Sequence, residues 1–284
     1  MGGNNISKAV VDGDYSKVNR LLDAGADTEY RHKGGWTPLL LLCKKSDNLP
    51  WLKVLLEKNY RIKLVDLLLE NKANVEVSDG HGDTALITAI ENNFHMTVKS
   101  LLGKKANIEA ADENGMTPLS RACEMRYFDI DMVDSLLFKK ANIEATDSRG
   151  WTPLLCACST KYPSKVVKCL LENKANVEAT STGAIKWTPL RMATAKGKLL
   201  VVQKLLDWNA NPLVKGDFAL EIAKRDGFTE VVDFWKGSLK SEPVHTLAQE
   251  KKGGNIQQTK KTENLDVEET EKPEKLDVDE ANPN

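Results

Sequence analysis

Apolar side chains recur along this chain in paired short stripes, each with the spacing of one face of a helix. Between residues 112 and 145 the first stripe is Leu119, Ala122 and Cys123. Steps of three and four residues predict amphipathic helices. The second stripe is Val133-Leu136-Leu137, and it recurs as Val98-Leu101-Leu102, Val167-Leu170-Leu171 and Val202-Leu205-Leu206. Because two short helices cannot bury such faces alone, the pattern predicts a stack of similar helix pairs.

The start of each pair is marked by a Thr-Pro/Ala-Leu phrase. Threonine is favoured just before a helix, and proline fits the first helical position, where its missing N–H is not needed. A turn such as Asp112–Gly115 precedes the phrase, with glycine supplying a positive φ. The five copies are 47, 33, 35 and 36 residues apart and begin at Thr37, Thr84, Thr117, Thr152 and Thr188.

The combined frame, D-x-x-G-x-T-P-L-x-x-A-A/C, then V-x-x-L-L and A-N/D-I/V-E, resembles the ankyrin repeat. The resemblance covers residues 4–236 and implies an all-α helical repeat solenoid. It divides the chain into an N-terminal capping unit (1–34), five repeats (35–216), a C-terminal capping half-repeat (217–236) and a disordered acidic tail (237–284). The two terminal units lack the Thr-Pro phrase, as capping repeats often do; they are recognised at Leu21–Asp27 and Phe218–Ala223.

The chain departs from the ankyrin pattern at two positions. The family's histidine after Thr-Pro-Leu is replaced, by Leu40, Ile87, Ser120, Leu155 and Arg191. The family's glycine after the second helix survives as Gly25, and elsewhere the position holds Lys72, Lys105, Lys140, Lys174 and Asn209. If that position keeps a left-handed backbone, each non-glycine residue costs roughly 1 kcal/mol. The lysine column is either a solvated surface row or a basic stripe for an acidic partner.

The first spacing, 47 residues, indicates an insertion near residues 57–70. Trp51–Glu57 lies where the second helix belongs, and Leu64–Glu70 repeats its pattern. The second helix is therefore predicted to be duplicated or lengthened, with Pro50 suited to its start. The insertion is either a partner site or the product of slippage.

Charge and composition narrow the class of function. The formal net charge is −1, and the first 236 residues carry +3, which is not the footprint of a nucleic-acid-binding protein. No apolar run approaches the roughly eighteen residues of a membrane span, and no signal peptide is recognised at the start. We therefore expect a monomeric protein that is located in the cytoplasm, or in both cytoplasm and nucleus, and has no nucleic-acid partner.

Neither a metal site nor a catalytic site is expected. Cys43, Cys123 and Cys158 occupy one repeat position and are predicted to pack in the core. The cysteines lack zinc-ligand spacing. The four histidines, which have no fixed relation to a nucleophile, are His32, His81, His95 and His245. We expect no cofactor and no enzymatic activity.

The tail contains a duplicated acidic segment. Glu263–Glu269 recurs as Glu274–Glu280, and each copy has a Leu-Asp-Val core. The low apolar content from residue 237 onward predicts disorder. The tail is either a solvating extension or a two-copy linear motif that gains avidity by repetition.

The resemblance implies that a partner binds a concave face formed by the turns and the first helices. Its variable positions supply the candidate contact residues, which are Trp36, Lys44, Lys45, His81, Asp83, Glu91, Asn92, Asn114, Met116, Glu124, Met125, Arg149, Trp151, Trp187 and Lys196. Three tryptophans share the place just before the threonine. They either line a groove for a partner, as interface anchors do, or fold down onto the neighbouring turn.

These features predict a non-enzymatic adaptor or regulator that binds a protein through the concave face. The alternative is a targeting subunit that brings a client to an enzyme or a membrane skeleton through the inserted helix or the acidic tail. The scaffold does not identify the partner, because repeat proteins share a scaffold while their contact residues differ.

Overall fold

The computed structural model describes residues 3–32, 35–44, 59–125, 130–161, 164–183, 186–211 and 219–241. Within these ranges the chain forms seven helix pairs, and the regular structure is helical apart from one β-bridge between Ser78 and Thr84. The first helices are α1 (Gly3–Val11), α3 (Pro38–Cys43), α5 (Ala85–Glu91), α7 (Pro118–Glu124), α9 (Pro153–Ser159), α11 (Pro189–Ala195) and α13 (Ala219–Arg225). The second helices are α2 (Tyr15–Asp23), α4 (Asn59–Glu70), α6 (His95–Gly103), α8 (Ile130–Phe138), α10 (Ser164–Glu172), α12 (Leu199–Asp207) and α14 (Thr229–Ser241). The predicted all-α solenoid is confirmed.

The first helices form one uninterrupted row. Each contacts the first helix of the next pair, from α1 through α13. Their buried positions hold small side chains that let the helices approach closely; examples are Ala89, Ala122, Cys123, Ala157 and Ala193. A single core of buried residues therefore runs along the array. Full burial of each leucine or valine in it contributes roughly 1.5–3 kcal/mol relative to exposure.

Each Thr-Pro/Ala-Leu phrase begins a first helix, as predicted. The threonine hydroxyl accepts a hydrogen bond from the N–H three residues later, over 3.3 Å in both the Thr84–Ile87 and Thr117–Ser120 pairs. Thr37, Thr152 and Thr188 make the same contact, and all five threonines are buried. Such a cap contributes about 1 kcal/mol. The phrase is a structural element.

The column after the second helices has the left-handed backbone predicted for it. The φ angles are +65° at Lys72, +65° at Lys105, +66° at Lys140, +68° at Lys174 and +60° at Asn209. At each site the N–H of the following alanine bonds back into the helix, as from Ala106 to the Leu101 carbonyl over 3.0 Å. The helices thus end in a glycine-type motif without glycine, which leaves strain in the backbone.

A row of glutamates that the sequence did not predict links successive pairs. In each Ala-Asn-x-Glu turn, the asparagine side chain accepts a hydrogen bond from the N–H of its own glutamate. That glutamate's carboxylate then accepts a hydrogen bond from the asparagine N–H of the next pair. Five such contacts of 2.6–2.8 Å join Glu29 to Asn74, Glu76 to Asn107, Glu109 to Asn142, Glu144 to Asn176 and Glu178 to Asn211.

The C-terminal end of the array differs from the predicted capping half-repeat, whereas the N-terminal pair lies within the predicted unit 1–34. Both are complete helix pairs, α1–α2 and α13–α14, and α14 continues to Ser241, past the predicted boundary at 236. Helix α4 has 12 residues, against nine for α6, and contains the Leu64–Glu70 pattern. The Trp51–Glu57 copy and the acidic segments of the tail lie outside the described residues.

The five cysteines are buried and unbridged. The prediction that Cys43, Cys123 and Cys158 pack in the core is confirmed, since each has no exposed surface. Burial raises the pKa of the Cys43 and Cys156 thiols to about 12. These thiols are therefore neutral at ordinary pH and behave as small apolar side chains.

Candidate partner-binding face

The turns before the first helices are narrow loops, here called fingers. Finger 2 is 79–83, finger 3 is 112–116 and finger 4 is 147–151; finger 5 begins at 181 and ends at 187, and its described residues are 181–183 and 186–187. Each is closed by a hydrogen bond from the N–H of its first residue to the carbonyl of its last, over 2.9–3.1 Å. In fingers 2 to 4 the first residue is aspartate, and its carboxylate accepts two further N–H groups of the finger. The finger face consists of these fingers and the first helices that follow them.

Neighbouring fingers are bonded to one another. The N–H of Glu113 donates to the His81 carbonyl over 3.0 Å, and the N–H of Thr182 donates to the Arg149 carbonyl over 3.1 Å. Gly150 has a φ of +71°, and a Cβ there would lie 2.5 Å from the Thr182 nitrogen. Only glycine permits this approach. The finger face is therefore built as one connected row.

A cation lies over each of the three predicted tryptophans. Lys44 Nζ is 3.9 Å from the Trp36 ring centre, and Arg149 Cζ is 4.0 Å from that of Trp151. Arg191 Cζ is 5.0 Å from the Trp187 ring centre. All three rings are half-buried and pack against the core. Part of each ring therefore packs on the scaffold, and a partner contact through the rest of the ring stays a prediction.

Two arginines connect fingers 3 and 4 through carboxylates. Arg121 pairs with the buried Asp112 and with Glu91, the latter at 3.2 Å. Arg149 Nη2 is 2.6 Å from the buried Asp147 and 3.3 Å from Glu124. Burial raises the pKa of Glu91, an effect that Arg121 opposes. In this part of the face, cations and carboxylates neutralise one another internally.

Finger 5 departs from this arrangement. Ser181 replaces the aspartate, and its hydroxyl accepts the Trp187 N–H over 2.9 Å. Arg191 Nη1 donates to the Lys186 carbonyl over 3.3 Å, and Lys198 Nζ donates to the Lys161 carbonyl over 2.7 Å. Burial lowers the pKa of Lys198, and the nearby Lys196 lowers it further.

The family model described as "Ankyrin repeats (3 copies)" matches residues 57–147 and 126–216, together more than half of the chain. The chain belongs to the ankyrin repeat family. Its ankyrin array is similar to the crystal structure of the ankyrin repeat domain of Bcl-3, described as a unique member of the IkappaB protein family. The TM-score is 0.67 at 26% identity, over 82% of this chain and 98% of that domain.

A second relative is the Arabidopsis thaliana protein named "Putative E3 ubiquitin-protein ligase XBAT34". It is 43% identical over 70 residues, which are 24% of this chain and 19% of the relative. The chain therefore spans about a fifth of that relative's length.

The predicted contact residues of the ankyrin array differ in solvent exposure and in the contacts they make. His81, Asn114, Lys44 and Lys196 are exposed. Glu91, Glu124, Arg149 and the three tryptophans take part in the contacts described above, and Asp83 is half-buried in finger 2, where burial and Asp79 raise its pKa. Met125 is half-buried against the core. Lys45 lies outside the described residues.

Two predicted contact residues serve the ankyrin scaffold. Met116 is 2% exposed, because its side chain turns into the core; it is removed from the candidate set. Asn92 Nδ2 donates to the Cys43 carbonyl over 3.2 Å and to the Thr88 carbonyl over 2.8 Å, so it ties α5 to the preceding pair.

Sequence reasoning missed the residues that set the charge of the finger face. Arg121, Arg191 and the finger aspartates were not among the candidates, because the aspartates were interpreted only as turn formers. The aspartates could have been identified because they recur five residues before the repeat threonine, as Asp79, Asp112 and Asp147. Finger 5 has no aspartate at that position.

Two features bear on other functions. Within the described ranges, no helix has the length and apolar content needed to cross a membrane. Across the same residues, no three His, Cys, Asp or Glu side chains are grouped so as to hold a metal ion.

Proposed function

We propose that this ankyrin array binds a protein partner through the finger face and does not itself catalyse a reaction. The observation that carries the proposal is the bonding of each finger to the next, together with the close approach at Gly150. Because the fingers are held in place before binding, little conformational entropy is lost when a partner docks. The exposed side chains on this row, among them His81 and Asn114, are available for contact.

The chemistry of the titratable groups supports a non-enzymatic role. The thiols of Cys43 and Cys156 are buried with pKa values of about 12, so neither supplies a thiolate nucleophile at neutral pH. His81 lies in finger 2, where it pairs with an exposed Glu113 at 3.3 Å. That contact is an exposed side-chain hydrogen bond, and no nucleophile lies in it.

Photocrosslinking in a native lysate tests the binding face. We place benzoylphenylalanine at His81 or Asn114 on the finger face, and at Phe138 or Leu200 on the second helices, where both side chains are exposed. The same adduct at the two finger positions, absent from the second-helix positions, is the expected result. Adducts formed from Phe138 and Leu200 alone contradict the proposal.

The targeting role is a second proposal, favoured by the similarity to a relative named as a ubiquitin ligase. In that role the array holds a client for an enzyme, through the insertion or the tail. If the tail makes this link, deletion of residues 242–284 should abolish recruitment to the enzyme while the finger adduct persists; if the insertion makes it, recruitment should survive the deletion. A cytoplasmic location is likewise a proposal, which imaging of the tagged chain tests.

A further inference from the structure

A groove of about 390 Å³ lies between the second helices α6 and α8. Leu102 and Gly103 form one wall, and Ser135 and Phe138 form the other. Phe138 is 84% exposed, the largest exposed fraction among the large apolar side chains in the described ranges. Because this ring and the apolar wall opposite it are open to water, burying a partner's apolar side chain between them is favourable.

Lysines surround the groove. Lys99 and Lys139 line it, and both side chains are exposed. Three further exposed lysines lie just beyond the ends of the two helices; they are Lys104, Lys105 and Lys140. Residues 95–106 and 134–141 together contain these five lysines and one acidic residue, Asp134. The surface around the groove is therefore positively charged.

Most of these cations are not neutralised by the array itself. Asp134 Oδ1 accepts a hydrogen bond from Cys169 Sγ over 2.9 Å, and Lys104 Nζ lies 3.8 Å from Glu70 Oε1. In the part of the chain that the structure describes, the other four lysines form no ion pair. Their charges are available to the carboxylates of a partner.

Two of these four lysines occupy a backbone conformation that favours glycine. The φ angle is +65° at Lys105 and +66° at Lys140. Glycine adopts this conformation without strain, so lysine lowers the stability of the fold at both positions. Strain of this kind is found preferentially at functional and ligand-binding sites. What lysine adds at these positions is a long side chain with a positive charge, next to the groove.

We propose that this groove binds an acidic segment of a protein partner, which inserts a bulky apolar side chain between α6 and α8. The lysines attract the carboxylates of the segment, and the groove buries its apolar side chain. This surface is additional to the finger face, so the inference goes beyond the proposed function.

An anionic membrane surface fits the groove less well. Asp131 and Asp134 are three residues apart on α8, and both are exposed. Residues at this spacing are neighbours on a helix surface. Their carboxylates would oppose a continuous layer of negatively charged headgroups, whereas a peptide can place its few carboxylates beside the lysines.

Fluorescence anisotropy with the full chain tests this inference. The probe is a short labelled peptide with a central leucine flanked by glutamates. It is compared with a peptide in which glutamine replaces glutamate, with one in which alanine replaces leucine, and with vesicles that contain phosphatidylserine. Wild type should bind the parent peptide most tightly, and binding should weaken as salt is raised.

The first test variant is Lys105→Gly/Lys140→Gly. It should bind the parent peptide about fivefold more weakly, while its unfolding midpoint rises because the backbone strain is relieved. Lys72→Gly/Lys174→Gly is the matched control. It removes the same charge and relieves the same strain in the same column, at φ angles of +65° and +68°, but away from the groove. Its midpoint should also rise, and its affinity should change less than about twofold.

The second test variant, Gly103→Leu, fills the groove. A Cβ at Gly103 meets no atom within 4 Å, so a side chain fits there, and leucine is a better helix former than glycine. The variant should therefore remain folded and bind the peptide about fivefold more weakly. Gly103→Ala adds a single methyl group and should keep an affinity within about twofold of the wild type.

Several results would overturn the inference. They are failure of the wild type to bind the parent peptide, equal binding of the glutamine or alanine peptide, tighter binding to the vesicles, equal losses in the two glycine double variants, and wild-type affinity in Gly103→Leu.

This inference and the proposed function fail separately. If His81 and Asn114 crosslink to a partner but the peptide ignores the groove variants, the inference is wrong and the finger face stands. If the groove variants lose the peptide but the finger positions form no adduct, the groove is supported and the finger face is not. An adduct from Phe138 that differs from the finger adduct supports both.

Discussion

Fingers 4 and 5 each stack an arginine on a tryptophan, but they differ in the residue at the base. In finger 4 the buried Asp147 and Glu124 pair with Arg149. In finger 5 the base residue is Ser181, whose hydroxyl accepts the Trp187 N–H over 2.9 Å. Both fingers retain the same closing hydrogen bond.

The comparison shows which features of the two fingers belong to the shared scaffold and which differ between them. The closing bond and the capped helix are common to both fingers. The residue at the base differs: finger 4 has a buried carboxylate that pairs with Arg149, and finger 5 has a serine hydroxyl. Changes at that position should therefore alter stability more in finger 4 than in finger 5.

The largest effect is expected for Asp147→Ser, which gives finger 4 the base of finger 5. The carboxylate accepts the Arg149 and Trp151 N–H groups, both over 2.8 Å, and pairs with the Arg149 side chain. A serine hydroxyl can replace only some of these hydrogen bonds and cannot form the ion pair. The free energy of unfolding should fall by about 3 kcal/mol in urea. Ser148→Ala, at an exposed position of the same finger, is the control; a loss below about 1 kcal/mol for Asp147→Ser would contradict the role assigned to the carboxylate.

Alkaline pH should distinguish the helices that follow the two fingers. Cys156 in α9 has its pKa raised to about 12 by burial, and the equivalent residue of α11 is Met192. The unfolded thiol ionises near its ordinary value of 9.0, so its stabilising contribution is complete below pH 9 and is lost as the pH rises towards 12. At pH 10 the loss is about 1.4 kcal/mol.

Urea titrations at pH 8 and pH 10 measure this loss. Cys156→Ala should remove about 1.4 kcal/mol of the difference between the two pH values. Met192→Leu should leave that difference at the wild-type value. If the alanine variant keeps the full alkaline loss, the thiol is not protected in the folded array.

A smaller effect on stability is expected at the left-handed lysine that precedes each of the two fingers, because the backbone at this position is the same in both repeats. Lys140 precedes finger 4 with a φ of +66°, and Lys174 precedes finger 5 with a φ of +68°. Substitution of either by glycine should raise the free energy of unfolding by about 1 kcal/mol, since glycine adopts this backbone without strain. Lys104→Gly, at a φ of −90°, is the control and should be destabilising. Unequal gains at the two lysines would show that the scaffold is not shared.

Local features of this chain were predictable from its sequence. The threonine caps, the left-handed lysine column and the buried cysteines each depend on a residue and its near neighbours, and periodicity exposed them. The glutamate row was visible as Ala-Asn-x-Glu, but its partner is a backbone N–H of the next pair, which no local pattern reveals.

The charge pattern of the candidate site was harder to predict, for two physical reasons. Arg149 and Glu124 meet at 3.3 Å although they are 25 residues apart. Met116 was assigned to the surface by its repeat position, but its side chain is buried in the core.

The most direct measurement of the central claim is the urea unfolding midpoint of Ser181→Asp, which gives finger 5 the base of finger 4. The Ser181 hydroxyl accepts the Trp187 N–H over 2.9 Å, and an aspartate carboxylate can accept the same N–H. The midpoint of Ser181→Asp should therefore stay at or above that of the wild type. Thr229→Asp, exposed at the start of α14, adds the same charge outside the fingers and should leave the midpoint unchanged. A midpoint well below the wild-type value would contradict the claim that the two fingers share one scaffold and differ in the residue at the base.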